Sequence, residues 1–328
     1  MSSQLPADFC VTPDQLLVAA SGLHRPECVL ATADGSLYSA DWRGGVAISR
    51  PGGDGEVTVG QIAPDRPARP NGIALRADGG FLFADLGESL GGIYTLSRGG
   101  AIAPLITHAD GAALPPSNFV CEDAAGRIWF TVSTRLVPRW KAWRADVADG
   151  FIGVHDARGT RIVADGLGYT NEIAFSPDGQ FVYVNETYGQ RVSRFRLHAD
   201  ASLGPKELVA DLGAGNFPDG LTFDAEGNLW VTCIVSNRVI VIRPDGSCQI
   251  VLDGGDPVYT VNFEAKYQTG SLLPPDTATA GNSPLGNISS LAFGGPDLRT
   301  AYLGCLLDDK IRSFRVPVAG HPPIHWHR

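Results

Sequence analysis

At 328 residues, with 44% hydrophobic and 19% charged side chains, the chain can build a large core and carries too little charge for intrinsic disorder. Its 26 basic residues against 35 acidic ones leave a net charge of −9 with no Lys/Arg block, which argues against nucleic acid as a partner. The start lacks a basic segment followed by an apolar one, and no stretch approaches about 18 uninterrupted apolar residues, so the expectation is a cytoplasmic protein with no membrane partner.

In chain order, the first strand-like run is residues 17–23, which echoes residues 162–167 and is expected, over about 15–20, to complete the last repeat. Turn pairs follow at Asp34-Gly35, Asp78-Gly79, Ala125-Gly126, Asp178-Gly179 and Glu226-Gly227, with a sixth turn at Gly295-Pro296-Asp297. The glycines recur at about 48 residues, which marks an internal repeat. After each turn comes a short apolar run: residues 37–38, 81–83, 128–130, 181–184, 229–231 and 301–303. Third runs fall at 46–48, 93–96, 151–154, 192–195, 239–242 and 311–314; weaker fourth runs fall at 57–59, 162–163, 207–209 and 249–252. Four short strands per unit, six times over, predict an all-β fold: one six-bladed β-propeller over residues 1–328, closed by the N-terminal strand, with a tail at about 317–328. The insertions at 135–149 and 256–287 break the period and read as loops on one face. His321, His325 and His327 read as a disordered or surface tail, and Asp41, Asp85 and Glu186 as solvated turn acids. Cys10, Cys28, Cys121, Cys233, Cys248 and Cys305 lack CxxC spacing and read as free thiols.

Eight residues before each turn glycine stands a polar residue: Glu27, Asn71, Asn118, Asn171 and Asp219, with Ser289 sixth by alignment of the last repeat. Apolar residues two positions on, such as Ile73 and Ile173, show that these strands otherwise face a core. In a propeller the first strand of each blade is innermost, so the six positions form a ring around the central channel. Two carboxylates and several amides, with no Cys or His, suit a hard cation such as Ca²⁺ or Mg²⁺. The competing reading is that Asn and Asp here only cap turns, which Glu27 resists because Glu is a poor turn former. Glu172 adjoins Asn171 and so is expected on the opposite strand face, away from the same ion.

The runs Arg25-Pro26-Glu27, Tyr169-Thr170-Asn171-Glu172, Pro218-Asp219-Gly220-Leu221 and Leu291-Ala292-Phe293-Gly294-Gly295-Pro296-Asp297 carry a resemblance. Over about residues 17–316 the chain resembles the senescence marker protein/regucalcin, gluconolactonase and luciferin-regenerating-enzyme family. The resemblance implies one divalent cation, Ca²⁺ first with Mg²⁺, Mn²⁺ or Zn²⁺ as alternatives, bound by Glu27, Asn171 and Asp219, with Asn118 completing the site. It also implies lactone hydrolysis, with the cation polarising the carbonyl and Asp219 deprotonating water. The family's sugar lactonases often carry Arg and an acid where this chain has Pro116 and Phe119. The expected substrate is therefore a lactone or ester less polar than gluconolactone, bound among Asn71, Asn118, Phe119, Trp140, Trp143 and Tyr169. Alternatives are an organophosphate hydrolase, a metal-dependent lyase or isomerase acting through an enolate, and a non-catalytic binding propeller. A Ser-His-Asp hydrolase is rejected because no G-x-S-x-G elbow occurs.

Overall fold

Strand-forming runs separated by tight Asp-Gly-type turns pair with their sequence neighbours, and the result is six antiparallel four-stranded sheets. The structure is a computed structural model that describes residues 4–52 and 55–328. Blade 1 comprises Val29–Ala31, Leu37–Asp41, Gly45–Ser49 and Glu56–Val59, and blade 2 comprises Pro70–Leu75, Phe81–Asp85, Gly92–Leu96 and Ile102–Ile106. Blade 3 comprises Phe119–Glu122, Ile128–Val132, Gly150–Asp156 and Gly159–Leu167, and blade 4 comprises Thr170–Phe175, Phe181–Glu186, Arg191–Leu197 and Leu203–Asp211. Blade 5 is Asn216–Phe223, Leu229–Val235, Arg238–Ile242 and Cys248–Asp253. Blade 6 is Ile288–Gly294, Thr300–Cys305 and Ile311–Arg315, completed by Leu17–Ala20, with Leu17 opposite Ser313. This is the expected closure, and it leaves blade 6 with no missing outer strand. The outer strand of blade 2, absent from the sequence expectation, carries Pro104, which an outermost strand tolerates.

Alternate residues of the strands pack between blades. Trp129 and Trp230 are fully buried, and each indole N–H donates to an aspartate six residues earlier: Asp123 at 2.8 Å and Asp224 at 2.9 Å. The same aspartates accept backbone N–H groups of their turns, so one carboxylate fastens both a hairpin and a core tryptophan.

Two expectations need correction here. The 256–287 segment is not all loop: α1, Pro257–Gln268, begins where Asp256 accepts from Val258 N at 2.9 Å and Tyr259 N at 3.2 Å, and Pro257 occupies the first turn. Its Phe263 and Tyr267, one turn apart, are buried against Phe217. The C-terminal histidines lie in a tail that is at the surface, with His321 and His327 exposed, but that is docked rather than disordered: Ala33 N donates to Trp326 O at 2.8 Å, His321 N donates to Phe223 O at 2.9 Å, and Arg328 pairs with Glu122 at 2.6 Å. Among the described residues, no helix is long and apolar enough to cross a membrane.

Candidate metal centre and its aromatic mouth

The ring positions stand where the ladders break. Between Pro70 and Ile73, Thr170 and Ile173, Pro218 and Leu221, and Ile288 and Leu291, the innermost strand shifts register against its neighbour. Each shift falls on Asn71, Asn171, Asp219 or Ser289, and such bulges re-aim a side chain that a regular pleat would point elsewhere. Gly72 and Gly220 follow two of these positions. A Cβ there would lie 2.6 Å from Phe119 Cα and 2.5 Å from Ser289 O, so glycine lets adjacent inner strands approach this closely.

Arg25 and Tyr169, two residues before Glu27 and Asn171, hold left-handed φ values of 55° and 65°. The lead-in segments are fastened by acids expected to be solvated, which is a further correction. Asp41, Asp85 and Glu186 are fully buried. They accept from His24 N at 3.1 Å, Arg69 N at 2.9 Å and Gly168 N at 2.7 Å, and they pair with Arg43, Arg66 and Arg191. A buried carboxylate satisfied by backbone N–H groups and a guanidinium is a positioning device. The signal that could have found it was an acid at nearly the same distance after the turn glycine in three blades.

Glu27, Asn118, Asn171 and Asp219 are buried, exposed by only 5%, 2%, 4% and 3%, and both Glu27 and Asn171 act on the Asp219 carboxyl. Asn118 Nδ2 donates to Ser133 Oγ and Asn171 Nδ2 to Thr187 Oγ1, both at 3.0 Å. Those bonds fix the amides by their nitrogens, and Oδ1 of Asn118, Asn171 and Asp219 are left buried without a partner. Orphaned buried oxygens are costly, and these three, with Glu27, are oxygens of the kind that could hold a hard divalent cation. Among the described residues no three His, Cys, Asp or Glu side chains gather to hold a metal, so a cation here would need amide oxygens beside the two carboxylates. Burial first, and then the charge of Glu27, push the Asp219 carboxyl well above the usual range, while Arg25 and Arg139 oppose the rise.

The other residues expected at the site divide into three groups. Asn71 is fully engaged: Nδ2 donates to Glu27 Oε1 at 2.6 Å and Oδ1 accepts from Arg25 at 3.0 Å, so it orients Glu27. The Ser289 hydroxyl donates to Glu27 O at 2.9 Å and ties blade 6 to blade 1. Tyr169 and Trp143 meet at the mouth, where the Tyr169 hydroxyl accepts from Trp143 Nε1 at 3.1 Å and from Arg139 Nε at 2.9 Å. Tyr188 packs on Tyr169 at 4.8 Å between centroids, and Phe217, Phe263 and Tyr267 continue the cluster, so both insertions do share one face. Trp140 is half-buried and stands outside that cluster.

Phe119 faces the other way. With Leu30, Ile73, Ile173, Pro323 and Ile324 it lines an apolar cavity of about 580 Å³ under the C-terminal tail, which contains none of the four ring donors. Glu172 also lies behind the ring, beside Cys28 and Phe119, on the side expected of it. Burial and then the charges of Asp219 and Glu27 push its carboxyl well up. Sequence reasoning missed Arg139, whose insertion reaches the ring only through tertiary contacts.

Comparison with known proteins gives the chain a family. The model of the SMP-30/gluconolactonase/LRE-like region matches residues 25–253. The chain belongs to this family. It is 28% identical over 282 residues to a 6-deoxy-6-sulfogluconolactonase of Pseudomonas putida, covering 84% of this chain and 81% of that one. It is 26% identical over 189 residues to a pentonolactonase of Haloferax volcanii, covering 57% of this chain and 52% of the relative. A gluconolactonase structure from Xanthomonas campestris superposes with a TM-score of 0.67 at 20% identity, over 92% of this chain and 89% of that one. A calcium-binding regucalcin from Agrobacterium tumefaciens gives 0.65 at 17% identity, over 93% and 94%. At these identities the two structures establish the shared propeller fold. Membership of the family supports lactone hydrolysis in general.

Proposed function

We propose that the protein hydrolyses a lactone with one divalent cation, Ca²⁺ foremost, held by Glu27, Asn171 and Asp219, with Asn118 completing the set. The observation that carries this reading is the trio of buried, unpartnered oxygens on Asn118, Asn171 and Asp219. When bound, the cation supplies Lewis-acid polarisation of the ring carbonyl. Asn71 and Arg25 hold Glu27 in place, while Ser133 and Thr187 hold the two amides, so the donors need no rearrangement. Asp219 accepts the proton of the attacking water and passes it to the ring oxygen as the acyl bond breaks, giving a hydroxy acid. The walls contributed by Trp143, Tyr169 and Tyr188 exclude bulk water and favour a lactone body with fewer hydroxyls than gluconolactone.

Acid release from sugar, aliphatic and aromatic lactones in ¹⁸O-labelled water tests this. Ring opening with one solvent oxygen in the new carboxylate, lost in Glu27→Gln and Asp219→Asn, is the expected result. A folded, Ca²⁺-supplied protein that opens no lactone would overturn it.

A further inference from the structure

Arg139 stands on the 3-10 turn Arg139–Ala142 of the first insertion, half-buried over Tyr169, with its guanidinium carbon 5.4 Å from the ring centroid. Its Nε donates to the Tyr169 hydroxyl, and among the described residues the guanidinium has no ion-pair partner. Neighbouring arginines differ: Arg135 pairs with Asp165, and Arg144 with Asp146. The Tyr169 hydroxyl already accepts two bonds, from Arg139 and from Trp143 Nε1, so both its lone pairs are used and only its O–H remains to be given. Arg139 Nη1 and Nη2 can only donate as well. Arg139 and the Tyr169 hydroxyl therefore offer donors and no free acceptor. A sugar hydroxyl, which must both give and take, matches them poorly, whereas an acceptor-only group matches them fully. The placement is consistent with the charge of Arg139 being felt by the Asp219 carboxyl at the ring.

We infer that Arg139 and the Tyr169 hydroxyl form an anion subsite, and that the substrate lactone carries a carboxylate or sulfonate on its ring or side arm. This deepens the lactonase reading and rests on it for the word lactone; the subsite itself can be read by binding alone. The probe is 3-oxocyclopentanecarboxylate, whose carbocycle has no ester bond to open, compared with its carboxamide and with the corresponding sulfonate, by calorimetry on the Ca²⁺-supplied full chain. Charge-assisted donors predict that the anions bind about ten- to hundred-fold more tightly than the carboxamide. Comparing carboxylate with sulfonate decides which anion the subsite takes.

Arg139→Gln should bring the ratio of anion to carboxamide affinity close to one, Arg139→Lys should keep part of it, and Tyr169→Phe should lower it less than Arg139→Gln. Thermal melts of each variant establish that it is folded. Equal affinity for the carboxylate, sulfonate and carboxamide in the wild type, or a ratio unchanged in folded Arg139→Gln, would overturn the inference. Hydrolysis of the matching lactones is read separately. Anion preference without ring opening would sink the lactonase reading and keep the subsite, whereas ring opening without anion preference would do the reverse.

Discussion

Replacing Asp219 with Asn should have opposite effects on stability with and without a cation. In the cation-free protein Asp219 is 3% exposed, its Oδ1 lacks a partner, and the Glu27 charge stands nearby, so the carboxylate costs stability at neutral pH. An amide removes the repulsion and gives the neighbouring orphan oxygens a donor, which is worth about 1–3 kcal/mol. For 328 residues the unfolding entropy near the midpoint is about 0.7 kcal/mol/K, so each kcal/mol moves Tm by roughly 1.5 °C. Chelated Asp219→Asn should therefore melt about 2–4 °C above chelated wild type. Calcium at a thousand-fold excess over its Kd should raise wild type by about 4 kcal/mol, or about 6 °C, and should leave the variant unmoved. Calorimetric melts of both proteins in chelator and in Ca²⁺ give the four midpoints. A variant less stable than wild type in chelator, or one raised by Ca²⁺ as much as wild type, would refute the reasoning.

Two further outcomes follow from elements outside the ring. Asp256→Ala removes the cap of α1 and the bonds to Asn282; hydrogen exchange should quicken over residues 257–268 but not in the blades, and KM should rise more than kcat falls. His325 is pushed down to about 4, first by burial and then by Arg328, which itself pairs with Glu122. The folded imidazole stays neutral where the free one protonates, so stability is full above about pH 6.5 and declines as pH falls towards 4. Between pH 7.5 and 5 the loss is about 1 kcal/mol once partial exposure is discounted, and His325→Gln should lose correspondingly less Tm over that interval.

The propeller was legible because its signals are local and repeated: a turn glycine every 48 residues or so, and apolar runs on either side. The ring of polar positions that includes Glu27, Asn171 and Asp219 was legible for the same reason, since one register read six times separates a ring from isolated turn residues. What escaped depends on contacts distant in sequence. The Asp256-Pro257 start of α1 was visible in principle, yet exposed Val258 and Val261 beside buried Phe263 and Tyr267 blur any apolar stripe. Asp41, Asp85 and Glu186 looked solvated because the backbone N–H groups that satisfy them, at His24, Arg69 and Gly168, lie 17, 16 and 18 residues earlier in the lead-in segments. The docked tail and Arg139 are of the same kind: the first is fixed by Phe223 and Glu122, the second by Tyr169.

The central claim is that Glu27, Asn118, Asn171 and Asp219 hold a divalent cation, and equilibrium dialysis tests it most directly. Protein stripped with chelator and dialysed against calcium should retain one ion per chain, and Glu27→Gln and Asp219→Asn, shown to be folded, should retain none. Wild type that retains no calcium, magnesium, manganese or zinc, or variants that retain as much as wild type, would contradict it.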